Sequence, residues 1–170
     1  MKLKGMVWKF GDNIDTDQII PAKYLSISDP RELGRHCMED NKRTNFASLI
    51  SSGDFIVAGN NFGCGSSREE APFVLKEIGI KVIIAKSFSR IFLRNAINIG
   101  LSVIDCAALV DETSEGDELE IDLSKGKLKN ITTSQIYQSQ PMSEFLLQII
   151  NDGGLVNFVQ KELQKNKEDK

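Results

Sequence analysis

The stretch Gly59-Asn60-Asn61-Phe62-Gly63-Cys64-Gly65-Ser66-Ser67-Arg68-Glu69-Glu70-Ala71-Pro72 constrains this chain more than any other. It follows an apolar run, Phe55-Ile56-Val57-Ala58, and precedes residues with helical spacing from Phe73 to Ile78. The order strand, glycine-rich turn, helix is predicted. Gly59, Gly63 and Gly65 permit φ > 0 and close approach of the backbone to a ligand. Ser66 and Ser67 stand at capping-box spacing from Glu69 and Glu70, so the helix is predicted to begin near Ser67, with Arg68 in its first turn. Backbone N–H groups, two hydroxyls and a guanidinium then gather at the positive end of a helix, which suits an anion.

Three readings compete for this stretch. Helix capping needs one serine and leaves the glycines and Arg68 without a reason. A phosphate loop fails on spacing: Walker A needs a lysine before its last hydroxyl residue, whereas Arg68 follows Ser67, and G-x-G-x-x-G is absent. A carboxylate site fits better. Arginine grips a carboxylate bidentately. A serine among N–H donors has its deprotonated form stabilised, and an ionised serine can take a proton from carbon.

The flanking sequence supplies the scaffold. Leu3 to Phe10 reads as a strand, as do Lys81 to Ala85 and Leu101 to Ile104, with a helix from Ser87 to Gly100 between the latter two. Strand, helix, strand, helix, strand is a βαβ pattern and implies a parallel sheet. Ser28 to Met38 reads as a helix starting at Asp29-Pro30, with Leu33, Cys37 and Met38 facing inward and His36 on its surface. The stretch from Asn41 to Ser52 is polar, with a helical turn at Phe46 to Ile50. Glu118 to Leu123 alternates polar and apolar and turns back through Leu128, a hairpin with one wet face. Met142 to Ile150 is amphipathic. A short helix follows at Leu155 to Val159, and Lys161 to Lys170 reads as a frayed charged tail. One domain over residues 1–160 and a tail over 161–170 are expected.

Composition narrows the function. The 170 residues carry a net charge of −3, which argues against nucleic acid as a partner. No apolar run reaches spanning length, and the N-terminus lacks the apolar core of a signal peptide, so a cytoplasmic protein without membrane contact is expected. Cys37, Cys64 and Cys106 are far apart and odd in number, which disfavours a disulfide framework or a metal or iron–sulfur site made by this chain alone. Cys37 and Cys106 read as buried hydrophobes, and Cys64 as a thiol that a helix N-terminus could acidify. His36, the one histidine, makes a Ser-His-Asp triad implausible. The acids of Asp12-Asn13-Ile14-Asp15-Thr16-Asp17 are not spaced as a calcium loop. They read as an Asx-type turn capping a short helix, with an aspartate at a polar site as the alternative.

Three motifs then occur in order: Asp12-Asn13-Ile14-Asp15-Thr16-Asp17-Gln18-Ile19-Ile20-Pro21, the glycine-rich run Gly59 to Glu69, and Lys86-Ser87-Phe88-Ser89-Arg90-Ile91-Phe92. Together they resemble the small-subunit family of the 3-isopropylmalate dehydratases, the detached swivelling domain of the aconitase superfamily. The resemblance runs from about Lys4 to about Val159. It implies an α/β fold, a swivelling β/β/α three-layer domain with a partly parallel central sheet. It implies a separate large subunit holding a [4Fe–4S] cluster, with none bound by this chain, whose iron acts as Lewis acid on the departing hydroxyl. By that resemblance Ser66 is the catalytic base, Arg68 binds a substrate carboxylate, and Asp17 orders both. Ser67 and Gly65 border the substrate.

The implied reaction is reversible dehydration and rehydration of a small dicarboxylic hydroxy acid, taking 2-isopropylmalate to 3-isopropylmalate in leucine biosynthesis. In that family the loop after the aspartate motif is associated with substrate choice. Here Tyr24 and Leu25 offer an apolar wall and no arginine precedes Arg31, which favours an alkyl group over an added carboxylate. Glu70 stands where many relatives carry histidine, so 2,3-dimethylmalate and citramalate stay open as substrates; homoaconitate, with its added carboxylate, is the remaining alternative among related dehydratases. A non-catalytic carboxylate-binding module is the alternative from another class. Self-association of the isolated chain is also open.

Overall fold

In the computed structural model, which describes residues 1–41 and 45–168, every residue of β2 (Phe55–Ala58) and β3 (Val82–Ala85) is buried. Such continuous apolar runs need cover on both faces, and alternation decides which side chain meets which cover. Ile56, Ala58, Ile83 and Ala85 enter one apolar cluster, while Phe55, Val57, Val82 and Ile84 enter another. The two strands pair in parallel with each other and with β1 (Lys2–Lys9) and β4 (Ser102–Asp105). The remaining strands, β5 (Glu118–Asp122), β6 (Lys127–Asn130) and β7 (Ile136–Gln138), are antiparallel. The sheet order is β4-β3-β2-β1-β5-β6-β7.

The first cluster lies under the helices that cross between the parallel strands. These are α1 (Thr16–Ile19), α2 (Pro30–Gly34), α3 (Phe46–Leu49), α4 (Glu70–Glu77) and α5 (Arg90–Asn98). The second joins the other face of the parallel strands to Leu119, Ile121, Leu128 and Tyr137 of the antiparallel half, and to Leu109 and Val110 of α6 (Ala107–Glu112). The curled sheet thus supplies two layers and the helices a third, the β/β/α arrangement with a partly parallel sheet. α7 (Glu144–Asn151) and α8 (Leu155–Glu168) complete the described chain. Among the described residues no helix is long and apolar enough to cross a membrane.

Several sequence expectations need correction. α4 begins at Glu70, with Glu69 as its N-cap and no side-chain cap. Pro72 sets that start: it has no N–H to give to a carbonyl four residues back, so it must lie among the first four helical positions. α2 ends at Gly34, and the chain turns so that Met38 takes φ of +60°; His36 therefore lies beyond the helix. α8 continues to Glu168 through most of the segment read as a frayed tail, with Glu162 and Lys165 paired one turn apart at 2.7 Å. Residues 169–170 of that tail, and 42–44 of the polar stretch before α3, lie outside the described residues. α6 and β7 were not anticipated: each is six residues or fewer, too short for periodicity to reveal.

Candidate active site

The loops after β1 and β2 leave the same edge of the sheet, because the strands are parallel. They then continue to pair. The Gly59 amide donates to the Gly11 carbonyl at 3.0 Å, Asn13 to Asn60 at 2.8 Å, Gly63 to Ile14 at 2.7 Å, and Thr16 to Cys64 at 2.9 Å. The Asp12 carboxylate accepts from the Asn60 amide at 2.6 Å. Residues some fifty positions apart in sequence are thereby zipped into one irregular platform. The loop after β3 closes the other side, with Phe62 N–H donating to Ser87 O at 3.0 Å and Ser89 N–H to Phe62 O at 2.9 Å.

Two glycines make the platform feasible. Gly63 has φ of +74°, and a Cβ there would stand 2.1 Å from the Phe92 ring. Phe92 itself packs edge-to-face on Phe62, with centroids 5.2 Å apart. Gly65 has φ of +94°, and a Cβ would meet Thr16 Oγ1 at 3.1 Å. Both lie in the region where side chains are strained. Gly59 does not take positive φ, contrary to the sequence reading.

Ser66 and Ser67 follow as exposed loop residues ahead of α4, not as its caps. The Ser66 carbonyl accepts from Arg68 N–H at 2.8 Å, and no side-chain hydrogen bond involves Ser67 or Glu70 among the described residues, so neither capping box forms. The partner Ser66 does have was not anticipated. Thr16 is 1% exposed. Its hydroxyl oxygen lies 3.2 Å from Ser66 Oγ and accepts from Ser66 N–H at 3.2 Å. The Thr16 hydrogen can be directed to Ser66 O, at 3.3 Å, or to Ser66 Oγ. A threonine at the first position of a short helix is ordinary capping chemistry, so sequence alone gives it no signal.

Arg68 is held along one edge. Its Nη1 donates to Asp17 Oδ1 at 2.7 Å, to Ile20 O at 2.8 Å and to Thr16 O at 3.3 Å. The Arg68 side chain is 11% exposed while Asp17 is 65% exposed. The Nε and Nη2 hydrogens meet no acceptor among the described residues, which leaves the other edge of the fork for a planar anion. Asp17 reaches this position because Asp15 caps α1, accepting from Gln18 N–H at 2.7 Å. Asp15 thus does the turn work, and Asp17 is the aspartate placed against Arg68.

Cys64 sits half-buried beside Ser66. Burial, and then the Asp15 carboxylate, push its thiol up, so the expected acidification does not occur. Cys37 and Cys106 are buried, and burial alone raises Cys37 further. Among the described residues no three His, Cys, Asp or Glu side chains gather as the ligands of a metal or an iron–sulfur cluster would. Tyr24, at the end of a 3₁₀ turn over Ala22–Tyr24, stacks on His36 with ring centroids 3.7 Å apart, and its hydroxyl donates to Glu39 at 2.7 Å. Leu25 packs partly buried against the first cluster. The turn connects to the site through the chain, Ile20 O being an Arg68 acceptor.

A parallel sheet with a serine and a half-engaged arginine at its carboxyl edge has the form of an aconitase-type swivelling domain, and the family model described as the aconitase C-terminal domain matches residues 51–108. The 3-isopropylmalate dehydratase small subunit of Thermodesulfovibrio yellowstonii is 55% identical over 96% of this chain and 96% of its own length. That of Aquifex aeolicus is 54% identical over 96% of this chain and 97% of its own. A crystal structure of a 3-isopropylmalate dehydratase from Methanocaldococcus jannaschii, 45% identical, superposes with a TM-score of 0.92 over 100% of both chains. The chain belongs to the 3-isopropylmalate dehydratase small-subunit family.

Proposed function

We infer that this chain is the small subunit of a hydro-lyase that works with a large subunit to interconvert 2-isopropylmalate and 3-isopropylmalate, in leucine biosynthesis. The observation that carries the site assignment is the divided Arg68 fork. Asp17 and two backbone carbonyls hold Nη1, and the Nε–Nη2 edge stands unengaged, ready for a substrate carboxylate. Ser66, two residues earlier, is then the base for the adjacent carbon. Its Oγ, held as the alkoxide, takes the proton during dehydration and becomes the neutral hydroxyl, then returns the proton during rehydration. The Thr16 hydroxyl can donate to Ser66 Oγ while it is anionic, replacing the stabilisation that a helix cap would have given. Gly65 and Ser67 border the bound acid, and Tyr24 and Leu25 face its alkyl end.

The [4Fe–4S] cluster belongs to the large subunit in this reading. This chain contributes the base, the carboxylate clamp and part of the apolar wall. The reaction is placed in the cytoplasm, where the three free thiols stay reduced. Reconstitution tests the assignment. The chain alone should show no turnover of 2-isopropylmalate, and addition of a cluster-loaded large subunit should restore it. Turnover by the chain alone, or tight substrate binding by it without activity in the complex, would favour a free-standing enzyme or a binding module instead.

A further inference from the structure

The turn carrying Tyr24 has few backbone bonds beyond its own, yet it is tied down from outside by one continuous segment, residues 36–41. Met38 N–H donates to Ile19 O at 2.9 Å, and Asn41 Nδ2 donates to Gln18 Oε1 at 3.3 Å. Lys23 pairs with Asp40 at 3.3 Å. The Glu39 carboxylate reaches two groups at once: Oε1 accepts from the Tyr24 hydroxyl at 2.7 Å, and Oε2 lies 2.6 Å from His36 Nδ1. His36 in turn stacks on the Tyr24 ring at an interplanar angle of 10°, with the Lys23 ammonium 4.9 Å from the ring centroid. Met38 bends the segment into this position with φ of +60° while fully buried, a conformation a bulky side chain adopts only when its surroundings hold it there.

We propose that Glu39 and His36 are positioning residues that strap the Tyr24 turn into place for the substrate's alkyl end. This rests on the reading above, in which Tyr24 and Leu25 face that group. The strap acts on one segment from two directions. At its start Met38 holds the Ile19 carbonyl, next to the Ile20 carbonyl that anchors Arg68. At its far end Glu39 and His36 hold the Tyr24 ring, and so the orientation of the turn into Leu25. Neither Glu39 nor His36 bonds to Ser66 or Arg68 among the described residues. Loosening the strap therefore changes how well the substrate is held more than how fast its proton moves.

Two readouts test this. In the full chain, the amides of Tyr24, Leu25 and Ile27, bonded to Pro21 O, Ala22 O and Tyr24 O, report on the turn by hydrogen exchange. In the reconstituted enzyme, KM and kcat separate holding from chemistry. Glu39→Ala should speed exchange at these amides, raise KM about tenfold and lower kcat by less than about threefold. Glu39→Gln, which still accepts from the Tyr24 hydroxyl, should restore much of the loss. His36→Phe should keep the stacking contribution that His36→Ala removes. Unchanged exchange in both Glu39→Ala and His36→Ala overturns the strap. Faster exchange with unchanged KM overturns its role in substrate binding. Neither result decides the role of Ser66, which is read separately from the turnover of Ser66→Ala.

Discussion

The glycine-rich platform and the Tyr24 turn lie close together along the chain's fold, but they are held by different means. The platform is fixed by backbone bonds between two loops, by two glycines in the left-handed region and by a threonine that is 1% exposed. The turn is fixed mainly by exposed and half-buried side chains: Lys23 on Asp40, Tyr24 on Glu39, and His36 on Tyr24. Backbone bonds depend little on side-chain identity, so away from Gly63, Gly65 and Thr16 the platform should tolerate substitution. Side-chain bonds change with a single substitution. In the proposed function, the part that places the proton-transfer group is the one held by backbone bonds, and the part assigned to the variable end of the substrate is the one held by replaceable side chains.

This contrast predicts a graded set of effects. Arg68→Lys strikes the rigid part hardest. A lysine cannot keep the Asp17, Thr16 and Ile20 contacts on one edge and present a second edge to a carboxylate, so kcat/KM should fall about 100-fold with both constants affected. An unchanged KM would detach the arginine from substrate binding. Thr16→Val keeps the shape and removes the hydroxyl beside Ser66 Oγ, so kcat should fall about tenfold, with Thr16→Ser recovering most of it. A large KM change in Thr16→Val would blur the distinction between platform and turn.

Gly65→Ala, strained at φ of +94° and pressed on Thr16, should cost about 1–2 kcal/mol in thermal or denaturant unfolding. The smallest effect concerns Cys64. Its thiol is raised by burial and by Asp15, so at neutral pH it holds less thiolate than a free cysteine, and alkylation should be slower than for one. Because the folded pKa exceeds the unfolded one, the rate should climb only as pH rises beyond the ordinary thiol range, and stability attached to this group is lost over the same interval. Fast alkylation at pH 7 would show that the platform is more open than the backbone ladder implies.

The parallel half of the fold was legible because Phe55–Ala58, Val82–Ala85 and their neighbours are unbroken apolar runs separated by helical spacing. The Asp29-Pro30 helix start was legible because capping and proline chemistry are local, and Asp29 does accept from Glu32 N–H at 2.8 Å. The capping-box prediction for Ser66 and Ser67 failed for an equally local reason: two serine–glutamate spacings fit a capping box, and the proline that decides the start lies just beyond them. Arg68 and a loop serine were nominated by their chemistry, the choice of Ser66 and the role of Asp17 by resemblance, and the structure brings Arg68 onto Asp17 through contacts that span fifty-one positions. Thr16 and the 36–41 strap were not legible. Their importance comes from which distant residue each one meets, and no local pattern encodes that.

Proton transfer by Ser66 and binding of the acid by Arg68 are separated by single-turnover kinetics of the reconstituted Ser66→Ala enzyme, with substrate affinity measured on the same complex. Ser66 is exposed in this chain and bonds through its side chain to Thr16 alone among the described residues, so folding and assembly should survive the change. Affinity should stay within about threefold of the unsubstituted enzyme while the rate constant falls by about 10³-fold. A rate within about tenfold of the unsubstituted enzyme, at unchanged affinity, would move the base elsewhere.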